Sequence, residues 1–304
     1  MLFLKSAAKI ANNHGFTLTL QIHYQHIMAK RKYKPASSKK TKAKKPKKKK
    51  IKQLRIGGWT VLAIISAVIL LISLPSLKKG RHEEYGAKIP HRSFCYGIDI
   101  SHYQKEIQWD SLRVLTDGSG RTIRSKSHAK DIRPVSFVFI KATEGISMKD
   151  KHFKMHWKSA KKSGIRRGAY HFFRSSKDPE LQAKSFIRTV GKLDEFDLPP
   201  VLDIETIHSG CSKEALNYKA LKWLKAVESH YGRKPIVYSS SYFIRDILND
   251  EIKSHYPIWV AHYETDSPAI KNWKFWQFSD KALVYGIDGY VDLNVCSRTA
   301  LDEI

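Results

Sequence analysis

Between Tyr96 and Val295 the chain repeatedly exchanges one periodicity for another, and that exchange constrains the fold more than any other feature. Short apolar, strand-like runs give way to stretches with helical spacing five times, at Trp109–Leu115, Phe153–Lys162, Pro179–Val190, Glu214–His230 and Tyr242–Leu248. The strand-like runs are Tyr96–Ile100, Val135–Lys141, Arg167–Phe173, the run ending in Asp203 and Glu205, and Pro235–Tyr238. Pro257–His262, Lys274–Phe278 and Tyr290–Val295 then follow with little helix between them. Alternation of this kind predicts an α/β domain with a parallel sheet, either closed or doubly wound. Eight strands in about 200 residues favour a TIM-like barrel of five β/α units and three further strands. Thr116–Pro134 is polar and basic around an Asp-Gly-Ser-Gly turn, and reads as an inserted loop or exposed hairpin.

The first quarter of the chain has a different character. Of the net charge of +27, 17 units fall in residues 1–56, which hold no Asp or Glu; +10 is left for the remainder. Ile56–Leu74 is a 19-residue run with no charged side chain, long enough at helical rise to cross a bilayer core of roughly 30 Å. A signal peptide is the rival reading, but its apolar region would be shorter and SLPSLKKG offers no clear A-x-A site. The Lys-rich tract before the run, including Lys47–Lys50, orients such a span with its N-terminus in the cytoplasm. The expectation is therefore a single-pass protein of the cytoplasmic membrane with its folded domain on the envelope side. Residues 1–55 form a basic, largely disordered tail near anionic lipid, residues 75–94 a linker, and residues 95–304 the domain. Met28, opening MAKRKYKP, reads as an alternative start that would leave residues 1–27 outside the native protein.

Composition excludes several classes. Cys95, Cys211 and Cys296 are too few and too scattered for a disulfide-dense scaffold or a zinc site. No GxGxxG, Walker, HExxH or GxSxG pattern occurs, and no metal or cofactor is expected. The domain carries no basic recognition helix or RNP-like motif, so nucleic acid is not an expected partner.

Within the domain, polar residues gather on or at the ends of the strands: Asp99, Lys141, His171, Asp203, Glu205 and Tyr238. Each alone has a bland explanation, such as a solvated strand end or a satisfied core histidine. Together they share one relative position, and in parallel barrels the C-terminal strand ends carry the chemistry. Asp203 and Glu205, two apart, point to one face if both are extended. Paired carboxylates divide their pKa values, which suits one to donate a proton while the other stays charged. Trp259, Tyr263, Trp273 and Trp276 lie in or beside the last strands. Acids beside exposed aromatic faces suit a carbohydrate, although core packing explains most single aromatics. Cleaving a glycosidic bond needs a protonated carboxyl on the leaving oxygen and a carboxylate facing the developing positive charge. Spacing alone does not choose between retention and inversion.

The blocks GIDISHYQ, FIKATEG, RGAYHFF, LPPVLDIE, IVYSS, WVAHY, FWQFS and GIDGYVDLNV, in this order, resemble the glycoside hydrolase family 25 lysozymes. The resemblance covers nearly the whole folded domain. It implies a flattened barrel and an N-acetylmuramidase that cuts peptidoglycan between N-acetylmuramic acid and N-acetylglucosamine. Glu205 matches the family's general acid, and Asp203 its partner, as nucleophile or as stabiliser of an oxazolinium. Asp99 and Asp292 match two further acids. Lys141, Tyr238 and Gln277 match positions lining the groove, and His171, Trp259 and Tyr263 join them as expected substrate contacts. The insertion, the membrane span and the lack of an evident wall-binding repeat depart from the family pattern. The competing reading is a catalytically silent peptidoglycan-binding protein on the same fold, against which the full set of acids argues.

If the last strand runs antiparallel to the first with Asp99 opposite Asp292, paired residue numbers keep a constant sum of 391, and Cys95 then faces Cys296. An exported domain permits a disulfide between them, with Cys211 unpaired.

Overall fold

The computed structural model of the protein describes residues 86–304. The expected span at 56–74 and the basic tail lie outside the described residues. Among the described residues no helix is long and apolar enough to cross a membrane.

Eight strands close into a barrel. In spatial order they are β1 (Cys95–Ile100), β11 (Val291–Cys296), β10 (Trp273–Ala282), β9 (Ile258–Ala261), β8 (Ile236–Ser240), β7 (Val201–Asp203), β6 (Arg166–Phe172) and β4 (Asp131–Glu144). β4 pairs back on β1 and closes the ring, and the two-residue β5 (Met148–Lys149) pairs with the far end of β4. Within the ring all neighbours are parallel except β11, which is antiparallel to both β1 and β10. Helices cover four of the connections: α1 (Phe153–Lys162), α2 (Pro179–Val190), α3 (Lys213–Tyr231), and the pair α4 (Ser241–Asp246) and α5 (Asp250–His255). A last short helix, α6 (Arg298–Asp302), follows β11.

The helices begin and end where their chemistry dictates. Asp178 caps α2 by accepting the Leu181 backbone N–H at 2.8 Å, with Pro179 in the first turn where a missing N–H costs nothing. Ser212 caps α3, and Gly232 ends it in the left-handed conformation at φ 66°. α5 carries its own Asn249 cap, a short helix that periodicity over 242–248 does not reveal.

The expected helix at Trp109–Leu115 is not formed. A single 3-10 turn at Trp109–Ser111 leads into β2 (Arg113–Thr116), which pairs with β3 (Thr122–Ile123) and with the start of β4. Trp109, Leu112 and Leu115 mimic helical spacing, but Arg113 is recruited as a strand residue by Pro134 on one side and Tyr285 on the other. Residues 113–134 thus form a small antiparallel sheet, the hairpin alternative of the insertion. Part of the expected linker joins it. Gly86 N–H donates to the Thr122 carbonyl at 3.0 Å, Thr122 N–H to Ala87 at 2.8 Å, and Lys88 bridges to Arg121.

Alternation along the strands separates two apolar regions. One face, with Ile98, Val138, Leu202, Val237 and Leu293, packs beneath the helices against Phe186, Trp223 and Leu224. The other face fills the barrel with aromatics. Phe139 stacks on Trp259 with ring centres 4.4 Å apart, and Phe275 lies 5.2 Å from both Phe137 and Phe139. Gly97 and Gly168 make the room. A methyl at Gly168 would come within 2.6 Å of the Phe139 ring, and one at Gly97 would enter the ring of Phe137. This aromatic plug is the floor on which the polar residues at the C-terminal strand ends stand.

Candidate active site

Asp99 occupies the interior face of β1, because Tyr96, Ile98 and Ile100 take the outer face. It is 9% exposed, and its Oδ2 accepts hydrogen bonds from Gln277 Nε2 at 2.7 Å and Asn294 Nδ2 at 2.8 Å. Both amides are themselves fixed. Asn294 Oδ1 accepts from Trp259 Nε1 at 2.8 Å; Gln277 Oε1 accepts from the hydroxyls of Tyr238, at 2.8 Å, and Tyr263. Every amide orientation here is dictated by a donor-only or acceptor-only neighbour. Asp99 is therefore buried and held by two neutral amide donors.

Asp203 closes β7 between Phe172 of β6 and Tyr238 of β8, and is buried. Glu205 lies two residues past the strand end and is half-buried. Asp292, on β11, is the register partner of Asp99. Each of three tyrosines responds to three of these four acids. Burial raises the pKa of Tyr170 well above the ordinary value, and Asp99, Asp203 and Asp292 push it further. Tyr238 is raised by burial, Tyr263, Glu205, Asp203 and Asp99; Tyr263 by burial, Asp292, Asp99, Asp280 and Glu205. The tyrosines stay protonated and act as donors, and the acids share one electrostatic neighbourhood.

The opposite flank of β7 is charged. Glu144, at the end of β4 and 5% exposed, accepts from Lys141 Nζ at 2.6 Å and from Arg174 Nε at 2.9 Å, with a second Arg174 hydrogen bond from its Nη2. Burial alone would raise the Glu144 pKa; hydrogen bonds and charge from Lys141 and Arg174 outweigh it and lower it. Arg174 also reaches His208 through Nη1, at 2.8 Å.

Most of the residues expected from sequence meet at this face, with corrections. Lys141 is ion-paired to Glu144, so it is a strut of the wall before it is a substrate contact. His171 is not in the groove. It points into the shell under the helices, stacked on Trp223 with centres 5.4 Å apart, its nitrogens on Thr143 Oγ1 at 2.7 Å and Gln182 Oε1 at 3.1 Å. Strand alternation sends Tyr170 inward and therefore His171 outward. Trp259 is 2% exposed and belongs to the floor, and Trp276 lies on the outer face. Cys95 and Cys296 are register partners as expected, but both are free thiols rather than a disulfide, and burial pushes Cys296 up.

Sequence reasoning missed Tyr170, Asn294, Glu144, Arg174 and His208. Asn294 was findable, since it sits two residues from Asp292 on the same face of β11. Among the described residues no group of three or more His, Cys, Asp or Glu is arranged to hold a metal ion.

The family model described as glycosyl hydrolases family 25 matches residues 98–287. Escherichia coli K12 protein YegX is 36% identical over 219 residues, covering 71% of this chain and 75% of its own. Lysozyme M1 of Streptomyces globisporus is 32% identical over 218 residues, covering 67% of this chain and 68% of its own. The crystal structure of a bacterial lysozyme from Streptomyces coelicolor superposes with a TM-score of 0.59 at 31% identity, covering 69% of this chain and 95% of that one. A family 25 glycosyl hydrolase from Bacillus anthracis gives 0.57 at 29% identity, covering 71% and 94%. With a closed eight-strand barrel and a carboxylate-lined face at its C-terminal strand ends, this chain belongs to glycosyl hydrolase family 25 and is a glycoside hydrolase.

Proposed function

We propose that the enzyme is a peptidoglycan hydrolase cutting the β-1,4 bond between N-acetylmuramic acid and N-acetylglucosamine. The carrying observation is the convergence of Asp99, Asp203, Glu205 and Asp292 on the tyrosines Tyr170, Tyr238 and Tyr263. Glu205, half-buried and just beyond the strand, is the general acid that protonates the leaving oxygen. Asp203, buried below it, faces the positive charge that develops at the anomeric carbon, as nucleophile or as stabiliser of an oxazolinium. Asp99 and Asp292 complete the negative field, and the hydroxyls of Tyr238 and Tyr263, both donated to Gln277, hold the amide that binds Asp99. The lysozyme names of relatives such as that of Streptomyces globisporus support this substrate class.

We further propose that Ile56–Leu74 anchors the enzyme in the cytoplasmic membrane, with the basic tail on the cytoplasmic side against anionic lipid and the barrel on the side of the wall. Turbidity loss of purified cell wall tests the activity, wild type against Glu205→Gln. The reading requires clearing by the wild type and none by the variant; equal behaviour of the two sinks it. Alkaline extraction of membranes tests the anchor, which predicts that the chain stays in the pellet.

A further inference from the structure

Glu205 lies in a short segment fixed at both ends. On one side Ile204 is pinned to β8, its N–H donating to the Tyr238 carbonyl at 2.9 Å and its carbonyl accepting from Ser239 Oγ. On the other side His208 is pinned to the end of β6. Its backbone N–H donates to Ser175 Oγ at 2.8 Å, its Nδ1 lies 3.1 Å from the same oxygen, and its Nε2 lies 2.8 Å from Arg174 Nη1. Only Glu205, Thr206 and Ile207 run between the two clamps.

Building on Glu205 as the general acid, we propose that Arg174 and neutral His208 form a latch that positions it. The proton inventory fixes the chemistry. A guanidinium donates and never accepts, so His208 Nε2 must present its lone pair to Arg174. The ring proton then resides on Nδ1 and is donated to Ser175 Oγ, whose second lone pair takes the His208 backbone N–H. Arg174 is in turn held by Glu144, which Lys141 also grips, and Lys219 of α3 donates to the Ser175 carbonyl at 2.8 Å. The charged groups facing the imidazole are therefore Arg174 and Glu144, with Lys141 behind Glu144 and Lys219 behind Ser175. Burial, then Arg174, lower the His208 pKa against a hydrogen bond to the Thr206 backbone and the charge of Glu144, which raise it, and the net lowering favours the neutral form the latch needs. Protonation would set a cation against the guanidinium, break the Arg174 hydrogen bond and loosen the segment carrying Glu205. His208 is a positioning residue in this account, acting through the backbone.

The latch is tested on the full-length chain with isotope-labelled histidine. Its ring-nitrogen shifts are expected to report a neutral His208 protonated at Nδ1, and Arg174→Gln to abolish that preference; a proton on Nε2 in the wild type overturns the proposal. Initial rates on purified peptidoglycan provide a second arm. His208→Ala is expected to lower kcat on the order of tenfold with little change in KM, as misplacement of a catalytic group does. His208→Gln, which retains an acceptor but does not titrate, is expected to restore most of kcat and to shift the acidic limb of the pH profile to lower pH. A folded His208→Ala enzyme with wild-type kcat and pH profile overturns the proposal. If the wild type shows no hydrolysis, the hydrolase reading fails, while the nitrogen shifts still decide whether the latch exists.

Discussion

Strand β7 stands between two walls built on opposite electrostatic plans. On the β8–β1 side, Asp99 is held by the amides of Gln277 and Asn294, which are oriented in turn by Tyr238, Tyr263 and Trp259. Apart from the acids themselves, everything in that wall is neutral. On the β4–β6 side, Glu144 is matched by Lys141 and Arg174, so charge meets charge. Neutral donors stabilise a carboxylate without cancelling it, and leave its field available to an oxocarbenium-like transition state. Opposed ions consume each other's field and fix geometry instead. In the proposed mechanism the first wall supplies potential, and the second supplies position.

Substitutions that disturb one wall at a time separate these roles. The largest effect belongs to the residue between them. Glu205→Gln is expected to lower kcat about 10²–10⁴-fold on purified wall, the usual contribution of a general acid, with an unchanged unfolding temperature. Next comes the foot of the neutral wall, where Cys95 faces Cys296 four residues below the Asp99–Asp292 pair. Both thiols are buried, so they are expected to resist alkylation in the folded protein and to react fully once denaturant is added; rapid labelling of the native protein would contradict it.

Behind the charged wall, burial holds His171 at a pKa of about 4, against an ordinary 6.5. The unfolded chain binds this proton first, so stability falls as pH drops from 6.5 towards 4, by up to about 3 kcal/mol. Denaturant titrations at both pH values measure it. The smallest effect is expected from Glu144→Gln, about 1–3 kcal/mol, because Arg174 is partly exposed and keeps some solvation. The Glu144 pKa is lowered on folding, so its contribution is complete above the ordinary value of 4.5 and disappears as pH falls through the folded value. Glu144→Gln is therefore expected to match the wild type in acid and to fall below it at neutral pH.

Much of the neutral wall was legible in the sequence, and little of the charged one. Asp99 and Asp292 lie on strands whose alternation is visible, and once the last strand is set antiparallel to the first with Asp99 opposite Asp292, the Cys95–Cys296 pairing that β1 and β11 adopt follows. Glu144, Arg174 and His208 sit past the regular alternation of their strands, just beyond a bulge, at a turn and in a loop. Their partnership is set by three strand ends meeting in space, which no local period encodes. His171 misled because a histidine beside inward-facing Tyr170 looks functional until alternation assigns it to the other face. Trp109–Leu115 misled because a strand with one buried neighbour too many reads as a helical stripe.

The central claim is that Glu205 and Asp203 cut one kind of glycosidic bond in peptidoglycan. Mass spectrometry of borohydride-reduced digests tests it most directly, since the reduced sugar marks the bond that was cut. The account predicts fragments ending in reduced N-acetylmuramic acid from the wild type, and at most about a hundredth as many from Glu205→Gln. Fragments ending in reduced N-acetylglucosamine, or equal digestion by both proteins, would contradict it.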